Sequence, residues 1–132
     1  MITLATLEAA TAQEVFDQVA SHMMRQKERS MLEDSVCAYR GKEGLKCAAG
    51  CLISDEEIQL FSFESTGLNT LPWTCLINRG IATDNHRSLI SELQTIHDSP
   101  YNLPKEDWAN KLRTLAGQRG LSYSVVHEPY GN

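Results

Sequence analysis

The sequence contains neither a long hydrophobic run nor a run of five or more Lys and Arg residues. A membrane-spanning helix needs roughly 20 mostly apolar residues, so we expect no membrane partner. The net charge is −5, and proteins that bind the phosphate backbone of nucleic acids usually carry a basic patch instead. We therefore expect no direct contact with nucleic acid either.

We also expect no targeting segment at the start of the chain. No basic stretch precedes an apolar one, and Glu8 interrupts the first apolar residues. We expect the protein to remain in the cytoplasm. In that compartment all four thiols are expected to be reduced: Cys37, Cys47, Cys51 and Cys75.

What the chain does contain is enough apolar residues for a core. Of its 132 residues, 42% are hydrophobic and 22% are charged, which is typical of a globular protein. This length is that of one ordinary domain. We predict a single globular domain over residues 1–132.

Four segments have the pattern of amphipathic helices. Two begin with a capping box, Thr11 with Glu14 and Ser54 with Glu57, in which each side chain bonds the other residue's amide. The first helix is predicted at about 12–28, and the second is a short helix that starts at the second capping box and includes Ile58 and Leu60. The other two are predicted at about 85–97 and from Pro104 to Gly117 or Gly120.

The central stretch, residues 36–53, favours a β-hairpin. Gly41 and Gly44 bracket a four-residue turn, and apolar residues alternate on both sides of it. The run 48–50 is also compatible with a tightly packed turn or with the start of a short helix, since periodicity alone does not separate these. Residues 26–35 are predicted to be a connecting loop.

Two further strands complete the predicted fold. Trp73 to Ile77 has the composition of a short strand, and residues 121–127 that of a final strand pairing with the hairpin. The fold class predicted is α+β: one small, largely antiparallel sheet packed against about four helices.

Cysteine and histidine are present in numbers sufficient for a zinc site, but their spacing is unusual. Three residues separate Cys47 from Cys51, and no second close Cys or His pair follows. A four-thiolate site would need all four cysteines to meet: Cys37, Cys47, Cys51 and Cys75. We favour buried thiols and no metal or other cofactor, and keep a zinc-stabilised interaction module as an alternative.

A cysteine-dependent hydrolase or transferase is a second alternative. Cys47 follows Lys46, whose charge favours a thiolate, and His97 with Asp98 has the composition of a base with its orienting carboxylate. His86 is the second candidate base. No recognised nucleophile motif surrounds Cys47, so a core thiol and a structural histidine are favoured over catalysis, and no catalytic residue is assigned.

Candidate binding residues lie at the hairpin tip and in the acidic segment that follows it. Tyr39 and Arg40 are residue types enriched in interface hot spots. The acidic residues Asp55, Glu56 and Glu57 stabilise the start of a helix and also form a negative surface.

The central stretch resembles that of small proteins of phages, prophages and plasmids in bacteria. Their pattern, Cys-x-Tyr-Arg-Gly-x-x-Gly-x-x-Cys-Ala-x-Gly-x-Leu-Ile, corresponds here to residues 37–53, followed by the acidic segment. Leu93 to Asp98 and Trp108 match its later part. The resemblance implies a genetic context, with no known activity. It implies a protein that binds and inhibits a host protein or nucleoprotein complex, including CRISPR-type defence systems, in the bacterial cytoplasm.

Overall fold

A computed structural model of the protein describes residues 1–26, 28–32, 36–99 and 105–123. Within these ranges the chain forms six α-helices and two β-strands. The helices are α1 (Ala12–Gln26), α2 (Asp55–Leu60), α3 (Phe63–Thr66), α4 (Trp73–Asn78), α5 (Arg87–His97) and α6 (Lys105–Gln118). The strands are β1 (Met31–Leu32) and β2 (Val36–Cys37). Short 3₁₀ helices occupy Leu7–Ala9, Lys42–Gly44, Ala49–Leu52 and Leu68–Thr70.

The predicted α+β fold is wrong. Of the residues that the structure describes, 60% are helical and 3% are in strands. Its strands form one antiparallel pair, in which Met31 lies opposite Cys37 and Leu32 opposite Val36. This pairing is too small to be a sheet on which helices pack, and the protein is mostly helical.

The core is built by the three longest helices, as α1 packs on both α5 and α6 and these two pack on each other. The buried residues of α1 and α5 recur every three or four positions, which places them on one face of each helix. They are Val15, Phe16, Val19, Ala20 and Met23 in α1 and Leu89, Ile90 and Leu93 in α5. The predicted positions of α1, α2, α5 and α6 are confirmed within a few residues, and both capping boxes form.

The predicted hairpin in residues 36–53 is wrong. Its turn exists, since the Gly41 amide donates to the Leu45 carbonyl at 2.8 Å, but no strand follows. Residues 49–52 form a 3₁₀ helix instead, in line with the short helix with which the run 48–50 is also compatible. Part of the predicted loop 26–35 is strand β1. Strand β2 pairs with β1, which precedes it, and not with a strand after the turn.

Side chains of α1 explain why residues 46–51 need no strand partner. Gln26 accepts from the Lys46 amide at 2.8 Å and donates to its carbonyl at 2.7 Å. Gln18 donates to the Cys51 carbonyl at 3.0 Å, and His22 bonds the Lys46 carbonyl at 2.9 Å. These three residues recur every four positions and so lie on one face of α1. Their side chains bond the backbone groups of residues 46–51 that a neighbouring strand would pair with in a sheet.

The predicted strand Trp73 to Ile77 is also wrong, because this segment is helix α4. Pro72 precedes the helix with φ −58°, a value that suits a helix start. Trp73 and Leu76 are the buried residues, and their spacing of three is helical. Residues 121–123 of the predicted final strand are not strand, and residues 124–127 lie outside the described residues.

Candidate functional site

A recess of about 290 Å³ lies between the segment after β2, the start of α4 and the last turns of α5. Its lining residues include Trp73, Tyr39, Ala49 and Leu71. Among the described lining residues, Asp98 is the charged one. Pockets of this kind, apolar with a few convergent polar groups, are the usual form of small ligand sites.

The carboxylate of Asp98 is held in place by neighbours on α5. Its Oδ1 accepts from Nδ1 of His97 and from Nε2 of Gln94, each at 2.8 Å. Burial raises the pKa of Asp98, but hydrogen bonds from His97, Cys37 and Gln94 outweigh it and leave the pKa lowered. Asp98 is therefore an oriented anion at neutral pH.

His97 is fully buried, and both of its ring nitrogens are engaged. Nε2 accepts from the amide of Ser30 at 3.1 Å, so the hydrogen is assigned to Nδ1, which donates to Asp98. The ring lies against Trp108, with centroids 5.6 Å apart. The predicted pair of His97 and Asp98 does form. The sequence suggested that Asp98 orients His97 as a base, whereas in the structure His97 orients the carboxylate of Asp98.

Cys47, the candidate nucleophile, is buried at 2% exposure. Burial raises the pKa of its thiol, and the hydrogen bond from the Gly50 amide only partly offsets this. The second candidate base, His86, bonds the Ala10 carbonyl at 2.8 Å, away from the recess lining. The surroundings of Cys47 thus disfavour its thiolate, and neither ring nitrogen of His97 is free to act as its base.

The cysteines do not converge on a metal site. Cys37 and Cys47 line the recess, whereas Cys51 borders a different pocket beside α1. Burial and the neighbouring Asp98 raise the pKa of Cys37 to about 12, which disfavours the thiolate that zinc requires. Within the described parts of the chain, no three His, Cys, Asp or Glu residues are placed to hold a metal ion.

Tyr39 lies in the core, away from the exposed hairpin tip where the sequence placed it. It is 4% exposed, and its hydroxyl donates to the Leu71 carbonyl. Its ring packs edge-on against Phe63 and Trp73. Tyr39 thus supports one wall of the recess and is not available on the outer surface.

Arg40 is the centre of what we call the Arg40 cluster, formed by Arg40, Asp55 and the carbonyls of Gly50 and Ile53. The guanidinium donates to the Gly50 carbonyl at 2.8 Å and to the Ile53 carbonyl at 2.6 Å. It also pairs with Asp55 at 3.0 Å, and its side chain is only 14% exposed. These bonds lower the pKa of Asp55. Arg40 therefore acts as an internal brace.

The acidic residues at the start of α2 have different roles. Glu57 closes the capping box with Ser54 and also accepts from the amides of Leu4 and Ala5, both at 3.0 Å. Glu56 is exposed and forms no ion pair among the described residues. Leu60, one turn further on the same face, is 75% exposed. We refer to Asp55, Glu56, Gln59 and Leu60, all exposed, as the α2 surface.

Sequence reasoning did not identify Trp73 and Gln94 as parts of a site. Gln94 fixes the segment after Lys46 through the Ala49 amide at 3.0 Å, and it also holds Asp98. Its spacing of four residues from Asp98 on a helix is a usable signal. Trp73 carries no such signal, because its place in the recess depends on the unpredicted helix α4.

Comparison with known proteins gave no match: no family model, no curated protein and no solved structure is similar to this chain. The described helices include none that is both long and apolar enough to cross a membrane.

Proposed function

We propose that this protein belongs to a phage or other mobile element and inhibits a bacterial host complex by binding it in the cytoplasm. The proposal includes nucleoprotein complexes of defence systems such as CRISPR effectors. It rests on the resemblance of residues 37–53 to mobile-element proteins and on the α2 surface.

The observation that supports binding most directly is the exposed pair Glu56 and Leu60. Leu60 is 75% exposed, although burying a leucine is normally favourable by about 2 kcal/mol. Glu56 carries a charge that no described cation neutralises, whereas Asp55 shares its charge with Arg40. Neither side chain is part of the core. A leucine side chain next to an unpaired carboxylate is complementary to a partner surface that carries positive charge around an apolar contact.

An acidic surface of this kind would occupy a basic channel that otherwise holds nucleic acid. The interaction would be steered by charge, so it should weaken as salt screens it. We expect the protein to bind the protein component of such a complex, since its own net charge of −5 opposes contact with nucleic acid.

The test is a tagged pull-down from bacterial lysate, followed by an activity assay of the captured complex. The test variant is Glu56→Lys with Leu60→Asp, and its control is Asp84→Lys, which reverses an exposed charge outside the α2 surface. We expect wild type and control to capture and inhibit one stoichiometric complex, and the test variant to lose both. Undiminished capture by the test variant, or an affinity unchanged from about 0.05 to 0.5 M salt, would refute the proposal.

A further inference from the structure

Helix α2 buries none of its own residues, in contrast to α1 and α5. It is six residues long, and a helix shorter than about 12 residues is marginal by itself in water. Of its apolar side chains, Ile58 is only partly buried and Leu60 is exposed. Bonds to other parts of the chain are therefore expected to decide whether α2 stays in place.

Two carboxylates in the first turn of α2 make such bonds. Asp55 pairs with Arg40 at 3.0 Å, but an ion pair with an exposed carboxylate usually contributes little. Glu57 accepts from the backbone amides of Leu4 and Ala5, each at 3.0 Å. Glu57 thus links α2 to the start of the chain, 52 and 53 positions away in the sequence.

The two amides belong to residues 1–9, which we call the N-terminal segment. This segment is anchored in the core, since Leu4 is 6% exposed and Leu7 is fully buried. Gln18 of α1 bonds both backbone groups of Ile2, accepting from its amide at 2.7 Å and donating to its carbonyl at 2.9 Å. The N-terminal segment is therefore held by α1 and the core, and α2 is held by the N-terminal segment.

The space beside these two elements is not filled by side chains. A cavity of about 630 Å³ is lined by Ile2 and Thr3 of the N-terminal segment and by Asp55 and Glu56 of α2. Both elements thus face open space along part of their length. The bonds that Glu57 makes consequently have a larger share in joining them.

The bonds of Glu57 couple the two elements in both directions. The Leu4 amide is partly buried, so it loses its acceptor in surroundings that water reaches poorly when α2 moves away. When the N-terminal segment moves away, Glu57 loses two donors and α2 loses its link to α1 and the core. A coupling free energy between two elements is reciprocal, so loosening either one loosens the other.

We propose that the N-terminal segment and α2 form one unit that opens and closes together, and that the N-terminal segment thereby controls whether the α2 surface is held against the core. Glu57 is the positioning residue of this unit. Openings of part of a protein below the free energy of global unfolding are common where few apolar contacts are buried. The importance of the α2 surface for binding rests on the proposed function, whereas the coupling itself does not.

The test is amide hydrogen exchange of the whole chain, measured by NMR at increasing urea concentration. In the wild type we expect the amides of Ile2 and Ile58 to exchange at least about tenfold faster than that of Leu93 in α5, because a partial opening exposes them. Their exchange should also rise with the same dependence on urea, since one opening exposes the same surface. Different slopes, or protection equal to that of Leu93, would overturn the proposal without any variant.

Two variants act at opposite ends of the unit. Leu4→Ala weakens the anchoring of the N-terminal segment and should accelerate exchange of the Ile58 amide, which α2 itself bonds to Ser54. Glu57→Ala should accelerate exchange of the Ile2 amide, which Gln18 bonds. We expect at least about tenfold in each case.

The control is Glu56→Ala, which removes the neighbouring carboxylate of α2 and should change either rate by less than about twofold. If each variant accelerated exchange only in its own element, the coupling would be refuted. The exchange measurement needs no partner. A failed pull-down would therefore refute the proposed function alone, and uncoupled exchange would refute this inference alone.

Discussion

Asp55 and Asp98 each bond the side chain of a basic residue, Arg40 and His97 respectively. They differ in whether that side chain carries a positive charge. Asp55 is 75% exposed on its side chain, but a guanidinium from Arg40 pairs with it. Asp98 is 36% exposed on its side chain, and its carboxylate is bonded by neutral groups. The exposure of a carboxylate therefore does not show whether a guanidinium of the chain is paired with it.

The same contrast applies to the regions around them. In the Arg40 cluster the guanidinium is bonded to carbonyls and a carboxylate of the chain itself, so the cluster holds the fold together. In the recess the carboxylate of Asp98 accepts from the side chains of His97 and Gln94. We therefore expect substitutions in the cluster to lower stability more than a conservative substitution of Asp98 does.

The largest effect on stability is expected for Gly50→Ala, next to the Arg40 cluster. A Cβ at Gly50 would lie 2.4 Å from the Tyr39 carbonyl oxygen, so the backbone must shift. We expect a loss of about 3 kcal/mol or more in the free energy of unfolding. The control is Gly117→Ala in helix α6, where a Cβ meets nothing within 4 Å. That variant should gain about 0.5–1 kcal/mol, and equal effects in chemical denaturation would contradict the packing described.

Arg40→Ala should have the next largest effect. It removes the donor to the Gly50 and Ile53 carbonyls and leaves Asp55 unpaired. We expect a loss of about 2–3 kcal/mol, measured by urea denaturation. Arg79→Ala, at an exposed position, should change stability by less than about 0.5 kcal/mol. A small loss for Arg40→Ala would show that the cluster is not a brace.

Two neighbouring glutamates separate the structural part of α2 from its outer surface. Glu57→Ala removes the capping box and the bonds to the amides of Leu4 and Ala5, so a loss of about 1–2 kcal/mol is expected. Glu56→Ala should change stability by less than about 0.5 kcal/mol. Thermal unfolding of both variants measures this difference, and a reversed order would refute the assignment of the two residues.

The smallest effect concerns pH and His22. Burial lowers the pKa of His22 below its ordinary value of 6.5, against the opposing bond to the Lys46 carbonyl. The unfolded chain then binds the proton more readily, so this contribution is complete above pH 6.5 and is lost as the pH falls through the lowered value. His22→Gln retains a donor for Lys46 and should reduce the loss of stability between about pH 7 and 5. An unchanged pH dependence in the variant would show that His22 contributes nothing to it.

The helices were predictable where local signals were sufficient. Apolar spacing and capping boxes located α1 and α2, and apolar spacing together with the following proline located α5. The pairing of His97 with Asp98 was also visible, since the residues are adjacent at a helix end.

The central stretch was not predictable, because its backbone partners lie far away in the sequence. Nothing in the local sequence of Gln18, His22 and Gln26 indicates that they satisfy the backbone of residues 46–51. Asn69 similarly bonds the amide and carbonyl of Arg40, at 3.0 and 3.1 Å. A prediction from local sequence does not include these contacts. The alternating apolar residues beside a glycine turn then favour a hairpin, with Arg40 at its exposed tip.

The most direct test of the contrast between the two carboxylates compares the variants Arg40→Ala and Asp98→Asn by urea denaturation. We expect Arg40→Ala to lose about 2–3 kcal/mol, because two carbonyls and Asp55 lose their donor. We expect Asp98→Asn to lose less than about 1 kcal/mol, because the amide oxygen still accepts from His97 and Gln94. If Asp98→Asn cost as much stability as Arg40→Ala, the distinction between the Arg40 cluster and the recess would be wrong.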